Sequence, residues 1–493
     1  VTGLEAWDAE GRSLELWMEP SDAGLMVRVD DLEAVYPITV DPWYTTTSTE
    51  IQNTTTSTSE GWRDSGHDSH RTTRHNSDLT GDSGGNQTDF YFGRIVMGLP
   101  DTNGDGTDEL LVASNEWMVG CGTRHEEIYG GVWEQCHSEA GRALIFNGRE
   151  SAGLAEEVTV KMGGSSWHQD RFGTSVSHGY DFNGDGVGDL LVSAPYDDQD
   201  DASNAGSMRV FAGTTIGFSS SEASTIFGES ANDNLGLYTY RFDAGDLNGD
   251  GRDDLVLGVP TDDTTAGDAG KIVVYMGTSS FLPSYVSATL YGEVAGDQFG
   301  RSVAVSDVNG DGFADVIVGA PYNDDGGADA GKVYVFEGTS DGLSATASHG
   351  QYGKSSSHRL GQKVYALGDI NGDGFGDVYL AGDSYDAQVY HGDASGITGA
   401  QDQSWSRTDL EAIGDINEDG YDDIRIDEQI KMGSESGTML PWASTTYPKS
   451  VGDFDGDGYT DLAMGEPNWS GNRGRIWIRY GYEADYDTDG FLE

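Results

Sequence analysis

The sequence predicts an all-β fold, a seven-bladed β-propeller with Ca²⁺-binding hairpin loops, preceded by a small N-terminal β segment. Three observations predict it. An acidic nonapeptide, Asp-x-Asn-Gly-Asp-Gly-x-x-Asp with small variations, recurs seven times, starting at Asp101, Asp181, Asp246, Asp307, Asp369, Asp415 and Asp453. Each copy runs straight into a short apolar strand, as Asp315 runs into Val316, Ile317 and Val318. Glycine is abundant, 72 of 493 residues, which suits a chain built from turns between strands.

Along the chain, residues 1–44 hold three short apolar runs, at 14–18, 25–29 and 34–40. They read as a small β-meander, the end of an upstream module. Residues 45–70 begin with a Thr/Ser tract and read as a linker. Residues 71–482 carry the propeller. A full unit starts with a strand such as 299–305, continues through the acidic loop, and returns in a second strand ending at Ala320 and Pro321. A third strand follows at 331–338, and a weaker fourth, like 288–292 of the preceding unit, leads onward. After Asp453 only three strands are legible. Residues 71–80 stand where the fourth should be, so we expect them to complete the last blade and remove an exposed edge. The tail, 483–493, starts another acidic alternation, the first turn of a Ca²⁺-binding stalk with more chain beyond it. The chain begins with Val and shows no signal peptide, as expected of a processed or excised product.

Oxygen side chains at alternate positions, with glycine at the sharp bend, are what wraps a hard cation such as Ca²⁺. The expected ligands sit at positions 1, 3, 5, 7 and 9, position 7 offering its backbone carbonyl. In chain order the sets are Asp101, Asn103, Asp105, Thr107 and Glu109; Asp181, Asn183, Asp185, Val187 and Asp189; and Asp246, Asn248, Asp250, Arg252 and Asp254. Then come Asp307, Asn309, Asp311, Phe313 and Asp315; and Asp369, Asn371, Asp373, Phe375 and Asp377. Last are Asp415, Asn417, Asp419, Tyr421 and Asp423; and Asp453, Asp455, Asp457, Tyr459 and Asp461. Up to seven Ca²⁺ ions follow. No Cys or His lies in these loops, which disfavours a softer metal. Position 12 is apolar in every copy, from Val112 to Met464, so the bidentate Glu of an EF-hand is missing. Glu418 replaces the position-4 glycine of the sixth copy, which marks the weakest site.

The formal charge is −58, from 85 acids and 27 bases, which excludes a phosphate-backbone partner. No apolar run approaches the roughly 18 residues of a membrane span. Cys121 and Cys136 are close in one loop and pair in an oxidising compartment, free thiols being the alternative. His67, His70 and His75 cluster near Asp68 and Asp78, but their spacing matches no standard metal pattern and reads as a surface loop. No Gly-x-Ser-x-Gly elbow, phosphate-cradling loop or catalytic carboxylate pair stands out, so no catalytic residue is assigned.

Phe-Gly, then the acidic loop, then Gly-Ala-Pro resembles the FG-GAP repeat of integrin α-subunit β-propellers. Phe172-Gly173 pairs with Ser193-Ala194-Pro195, and Phe299-Gly300 with Gly319-Ala320-Pro321. The third copy departs with Leu235-Gly236 and Gly258-Val259-Pro260, the fifth with Leu360-Gly361 and Ala381-Gly382-Asp383, and the sixth lacks both flanks. The tail resembles the start of thrombospondin type 3 repeats. The resemblance covers roughly residues 89–482 and implies seven blades, a secreted or cell-surface location and an adhesion or ligand-recognition role.

Strand-to-strand turns of a blade alternate between two faces, so all the acidic loops fall on one rim. The other rim carries Asp197, Asp198, Asp262, Asp263, Asp324 and Asp325, and the long insertion 115–141 with Trp117, Tyr129 and Trp133. Partner contacts are expected there, from a monomer toward a protein or glycan on a cell surface. A lectin-like propeller is one alternative, although the tryptophans do not recur at one blade position. The other is a segment, catalytic or not, of a secreted polysaccharide- or lipid-degrading enzyme.

Overall fold

A computed structural model of the chain describes residues 93–117, 119–124, 133–137, 141–148, 160–163, 170–198, 202–382, 387–405, 410–415, 420–426, 429–434, 440–441, 450–456, 461–465 and 475–479. Nearer the N-terminus it describes the strands within residues 1–90. The described residues form a β-propeller, and apart from one short 3₁₀ turn, Thr239–Arg241, their regular elements are all strands. No helix among them is long and apolar enough to cross a membrane.

Six sheets have four antiparallel strands each, and in five of them the strands follow one another in chain order. In the fourth blade Ser302–Ser306 pairs with Asp315–Ala320, which pairs with Lys332–Phe336, which pairs with His349–Tyr352. The first blade has the same plan, with extra strands inserted between its second strand, Glu109–Ser114, and its third, Arg142–Phe146. The insertion forms a hairpin of Val119–Arg124 with Trp133–His137, and Glu116–Trp117 pairs with Asp89–Phe90.

Six four-stranded blades are found rather than the expected seven, and a composite sheet stands where residues 71–80 were expected to complete the last one. That sheet has five strands, and its outermost pair is parallel. Arg475–Arg479 pairs antiparallel with Ser48–Gln52, inside the stretch expected to be linker. From residues 71–80, Arg74–Asn76 joins the same sheet, but beyond Ser48–Gln52 at its edge. The physical reason lies in the tract itself: Thr49 and Ile51 are β-branched, and such residues suit a strand whatever the overall composition suggests. Both chain regions thus meet in one sheet, but the inner partner is the earlier segment. Farther upstream, Leu4–Trp7 joins Ser13–Leu14 and Thr39–Pro42, while Leu16–Ser21 and Gly24–Val29 form a separate hairpin. The stalk expected at 483–493 lies outside the described residues.

The apolar core lies between successive sheets. Val364, Val378 and Leu380 of the fifth blade pack with Ile317, Val333 and Val335 of the fourth. Val96, Leu110 and Leu144 of the first blade pack with Phe454, Ala463, Ile476 and Ile478 of the closing sheet, so the ring is shut. Sheets stack this closely only where side chains are absent. A Cβ on Gly258 or Gly319 would run into the carbonyl oxygen of Gly300 or Gly361 in the next blade. Gly300 is further held at φ +81, in the left-handed region that favours glycine. Phe299, just before it, packs edge-on against Phe336 at 6.0 Å. The repeated Phe-Gly and Gly-Ala-Pro signatures are therefore two halves of one blade-to-blade contact.

Candidate metal loops and the opposite face

Each acidic loop follows the innermost strand of its blade. Its first Asp folds the loop by accepting backbone N–H groups. In the fourth blade, Gly310 N–H donates to Asp307 Oδ1 at 2.7 Å and Gly312 N–H to Oδ2 at 2.9 Å. The position-6 donation to the first Asp recurs from Gly106, Gly186, Gly251, Gly374 and Gly420. Asn309 and Asp311 accept from the residues two further on. These bonds curl the backbone so that the oxygens converge.

The acid at position 9 starts the next strand and is wholly buried, at 0 % exposure for Asp189, Asp254 and Asp315. It ties three places together. Asp315 accepts from Val308 N–H at the loop entrance and from Gly338 N–H in the hairpin after the third strand. Gly213, Gly277, Gly392 and Gly433 donate in the same way to Asp189, Asp254, Asp377 and Asp423. Burial pushes Glu109, Asp189, Asp254 and Asp315 up to about 7, the backbone donors pulling back and the neighbouring loop acids adding to the rise. Such carboxylates call for a nearby cation to stay ionised at neutral pH.

The donor set fits a hard divalent cation: carboxylates, an amide oxygen and a carbonyl, with no sulfur. In two loops, three carboxylates already stand with oxygens within 4.8 Å of one another, Asp101 with Asp105 and Glu109, and Asp453 with Asp455 and Asp461. In the fifth, His391 Nδ1 lies 3.0 Å from Asp377 Oδ1, an imidazole that the loop pattern gave no sign of. Asn417, Asp419, Asp457 and Tyr459 lie outside the described residues.

The loops are also chained to each other, which the repeat alone did not reveal. At five junctions the position-8 N–H of one loop donates to the position-1 carbonyl of the loop before it. Asp253 N–H reaches Asp181 O, Ala314 reaches Asp246, Gly376 reaches Asp307, Asp422 reaches Asp369, and Asp108 reaches Asp453 across the closure, all at 2.8–3.1 Å. Where position 8 is Asp, its carboxylate returns the bond: Asp108, Asp253 and Asp422 accept from the N–H of Asp453, Asp181 and Asp369. Position 7 adds a lid. A Cβ on Gly310 would sit 2.7 Å from the Phe375 ring of the next loop, and one on Gly372 2.8 Å from Tyr421. From the third loop to the sixth, position 7 of one loop thus packs on position 4 of the loop before it, which must stay small there.

On the opposite face, the acids expected to meet a partner are largely engaged in their own loops. Asp197 is paired with Arg209 at 2.7 Å, Asp262 with Lys271 at 3.0 Å and Asp325 with Lys332 at 2.9 Å. Asp198, Asp263 and Asp324 accept the N–H of Asn204, Asp268 and Asp329. Tyr129 lies outside the described residues, as do the side chains of Trp117, Trp133, Cys121 and Cys136. The two cysteines sit on paired strands, beside the Gly122–Gln135 match.

Comparison with known proteins agrees with the geometry. The family described as "FG-GAP repeat" matches residues 172–211, 238–275, 299–336 and 450–478. Integrin alpha-4 of Xenopus laevis is 30% identical over 211 residues, covering 43% of this chain and 18% of the relative. Integrin alpha-5 of Xenopus laevis is 29% identical over 224 residues, covering 43% and 19%. The chain therefore spans less than a fifth of the length of these relatives. Among solved structures, a rhamnogalacturonan lyase of Bacillus licheniformis aligns over 80% of this chain and 90% of its own, at 10% identity and a TM-score of 0.31, too low to carry an argument. Repeat sequence, blade topology and the matched relatives together make the chain an integrin-α-like FG-GAP β-propeller.

Proposed function

We propose that the protein is an extracellular, Ca²⁺-dependent recognition module. The acidic loops hold up to seven Ca²⁺ ions on one rim, and the face at the other end of the blades binds a protein on a cell surface. The observation that carries this reading is the buried position-9 carboxylate, repeated from blade to blade and surrounded by further acids. A bound cation would supply the positive charge that these acids lack. In the first loop Asp101, Asp105 and Glu109 would hold it, and in the fourth Asp307, Asn309, Asp311 and Asp315, with the Phe313 carbonyl. The residues themselves fix the loop backbone and transmit its position to the next blade through position 8. The role is one of binding, without a catalytic step. Cys121 and Cys136 fit a disulfide that braces the insertion hairpin, and the isolated chain acts as a monomer. The test is a screen against surface proteins and glycans in millimolar Ca²⁺ and again in chelator. Chelator-sensitive capture of a protein supports the reading, and binding that ignores chelation contradicts it.

A further inference from the structure

We propose that the central mouth of the propeller, on the face away from the acidic loops, binds a carboxylate side chain presented by a protein partner, through Arg241 and Arg301. This deepens the recognition-module reading and rests on it. Arg241 immediately precedes the innermost strand Phe242–Gly245, Arg301 precedes Ser302–Ser306, and Lys363 opens Lys363–Gly368. These strands belong to three consecutive blades and run from this end toward the acidic loops. The 3₁₀ turn Thr239–Arg241 lies against the inner strands of the next two blades, so it overhangs the middle of the ring.

In a chain of net charge −58, a cation without an acid beside it stands out. Arg241 is 9% exposed, and the Nε atoms of Arg241 and Arg301 are buried without a hydrogen-bond partner. Among the described residues neither guanidinium is in an ion pair. Burial, reinforced by the neighbouring Arg301, pulls Arg241 down to about 10. Two guanidiniums that repel one another, neither in an ion pair, are costly without an anion, and a carboxylate is the group whose geometry matches their fork.

The surrounding rings point to a protein acid rather than an acidic sugar. Tyr238 and Tyr240 stack at 5.0 Å, Arg241 lies over Tyr238 at 4.8 Å, and Lys363 lies over Tyr240 at 5.2 Å. Each ring already carries a stacked ring and a cation, contacts with which a pyranose would have to compete. Tyr238 is 41% exposed at the edge of the recess and is positioned to flank an entering side chain.

The experiment measures binding of tetraglutamate, tetraglutamine and tetragalacturonate to the whole chain in Ca²⁺, by calorimetry, for the native protein and for Arg241→Gln and Arg301→Gln. Arg241→Lys is included as a charge-conserving variant, and melting curves in Ca²⁺ verify that each variant is folded. Tetraglutamate is expected to bind in preference to tetraglutamine, weakening at least about tenfold in each Gln variant and less in the Lys variant. No tetraglutamate binding, or binding that folded Gln variants retain, overturns the proposal. Tighter binding of tetragalacturonate overturns the choice of a protein acid. A surface protein captured equally by native and Gln variants also overturns the mouth site, while leaving the recognition reading intact. Arginine-dependent tetraglutamate binding with no surface protein captured upholds the mouth site and contradicts the recognition reading.

Discussion

Asp243 shows how one residue can bind several blades. It lies on the inner strand of the third blade, where Tyr180 of the second donates its hydroxyl to Oδ1 at 2.8 Å and Val305 of the fourth donates its N–H to Oδ2 at 2.8 Å. Burial pushes its carboxyl up to about 6, even with these donors lowering it. With Ala244 N–H also donating to Oδ1, Asp243→Leu takes the acceptor from three donors and should cost about 3 kcal/mol, read as a lower urea midpoint, while Tyr180→Phe should cost about 1 kcal/mol. The position-9 acids give a pH signature. With Asp189, Asp254 and Asp315 raised to about 7 in the fold and near 3.8 when free, the metal-free protein binds more protons folded than unfolded between these values. The stability these acids contribute is therefore full below about pH 4 and is lost as pH rises through about 7. In chelator the melting temperature should fall from pH 5 to pH 8. In millimolar Ca²⁺, where these acids would be held ionised, that decline should vanish or reverse. A chelated protein that melts higher at pH 8 than at pH 5 would contradict this reading of the buried acids.

The strands meet through glycine at the blade interfaces. Gly319→Ala places a methyl against the Gly361 carbonyl, a backbone atom that cannot yield, and should cost about 3 kcal/mol by calorimetry. Gly312→Ala, where the added Cβ meets nothing within 4 Å, strains only the φ of +88 and should cost about 1 kcal/mol. The loop-to-strand units were readable from residues because acid spacing and apolar runs are local signals. Inter-loop contacts were not. Position 8 varies among Asp, Gly, Ala and Thr, and where it links loops it does so through the backbone N–H, which no side-chain pattern reports. Phe375 and Tyr421 announce an aromatic at position 7, but their partner, a glycine of the previous loop, is about one blade away in the chain. Ser48–Gln52 was hidden for a related reason: a strand that pairs with Arg475–Arg479 across almost the whole chain has no neighbour in sequence to reveal it. The Asp253 latch is the sharpest test at this scale. Asp253→Ala removes the acceptor for Asp181 N–H and should cost about 1–2 kcal/mol, with faster amide exchange in the second loop as well as the third.

At the scale of the ring, closure depends on contacts between the first blade and the last sheet: Asp108 with Asp453, and Phe454 within the apolar cluster around Val96 and Leu110. Because five of the loops grip the one before them, ions bound at separate loops should stabilise one cooperative unit rather than seven independent hairpins. The −58 charge works against that unit until cations offset it. The measurement that tests the account most directly is calorimetric melting of the whole chain as Ca²⁺ is titrated from chelator to millimolar at pH 7.5. The account predicts one transition that moves upward by many degrees as the loops fill. A melting curve indifferent to Ca²⁺ would contradict it.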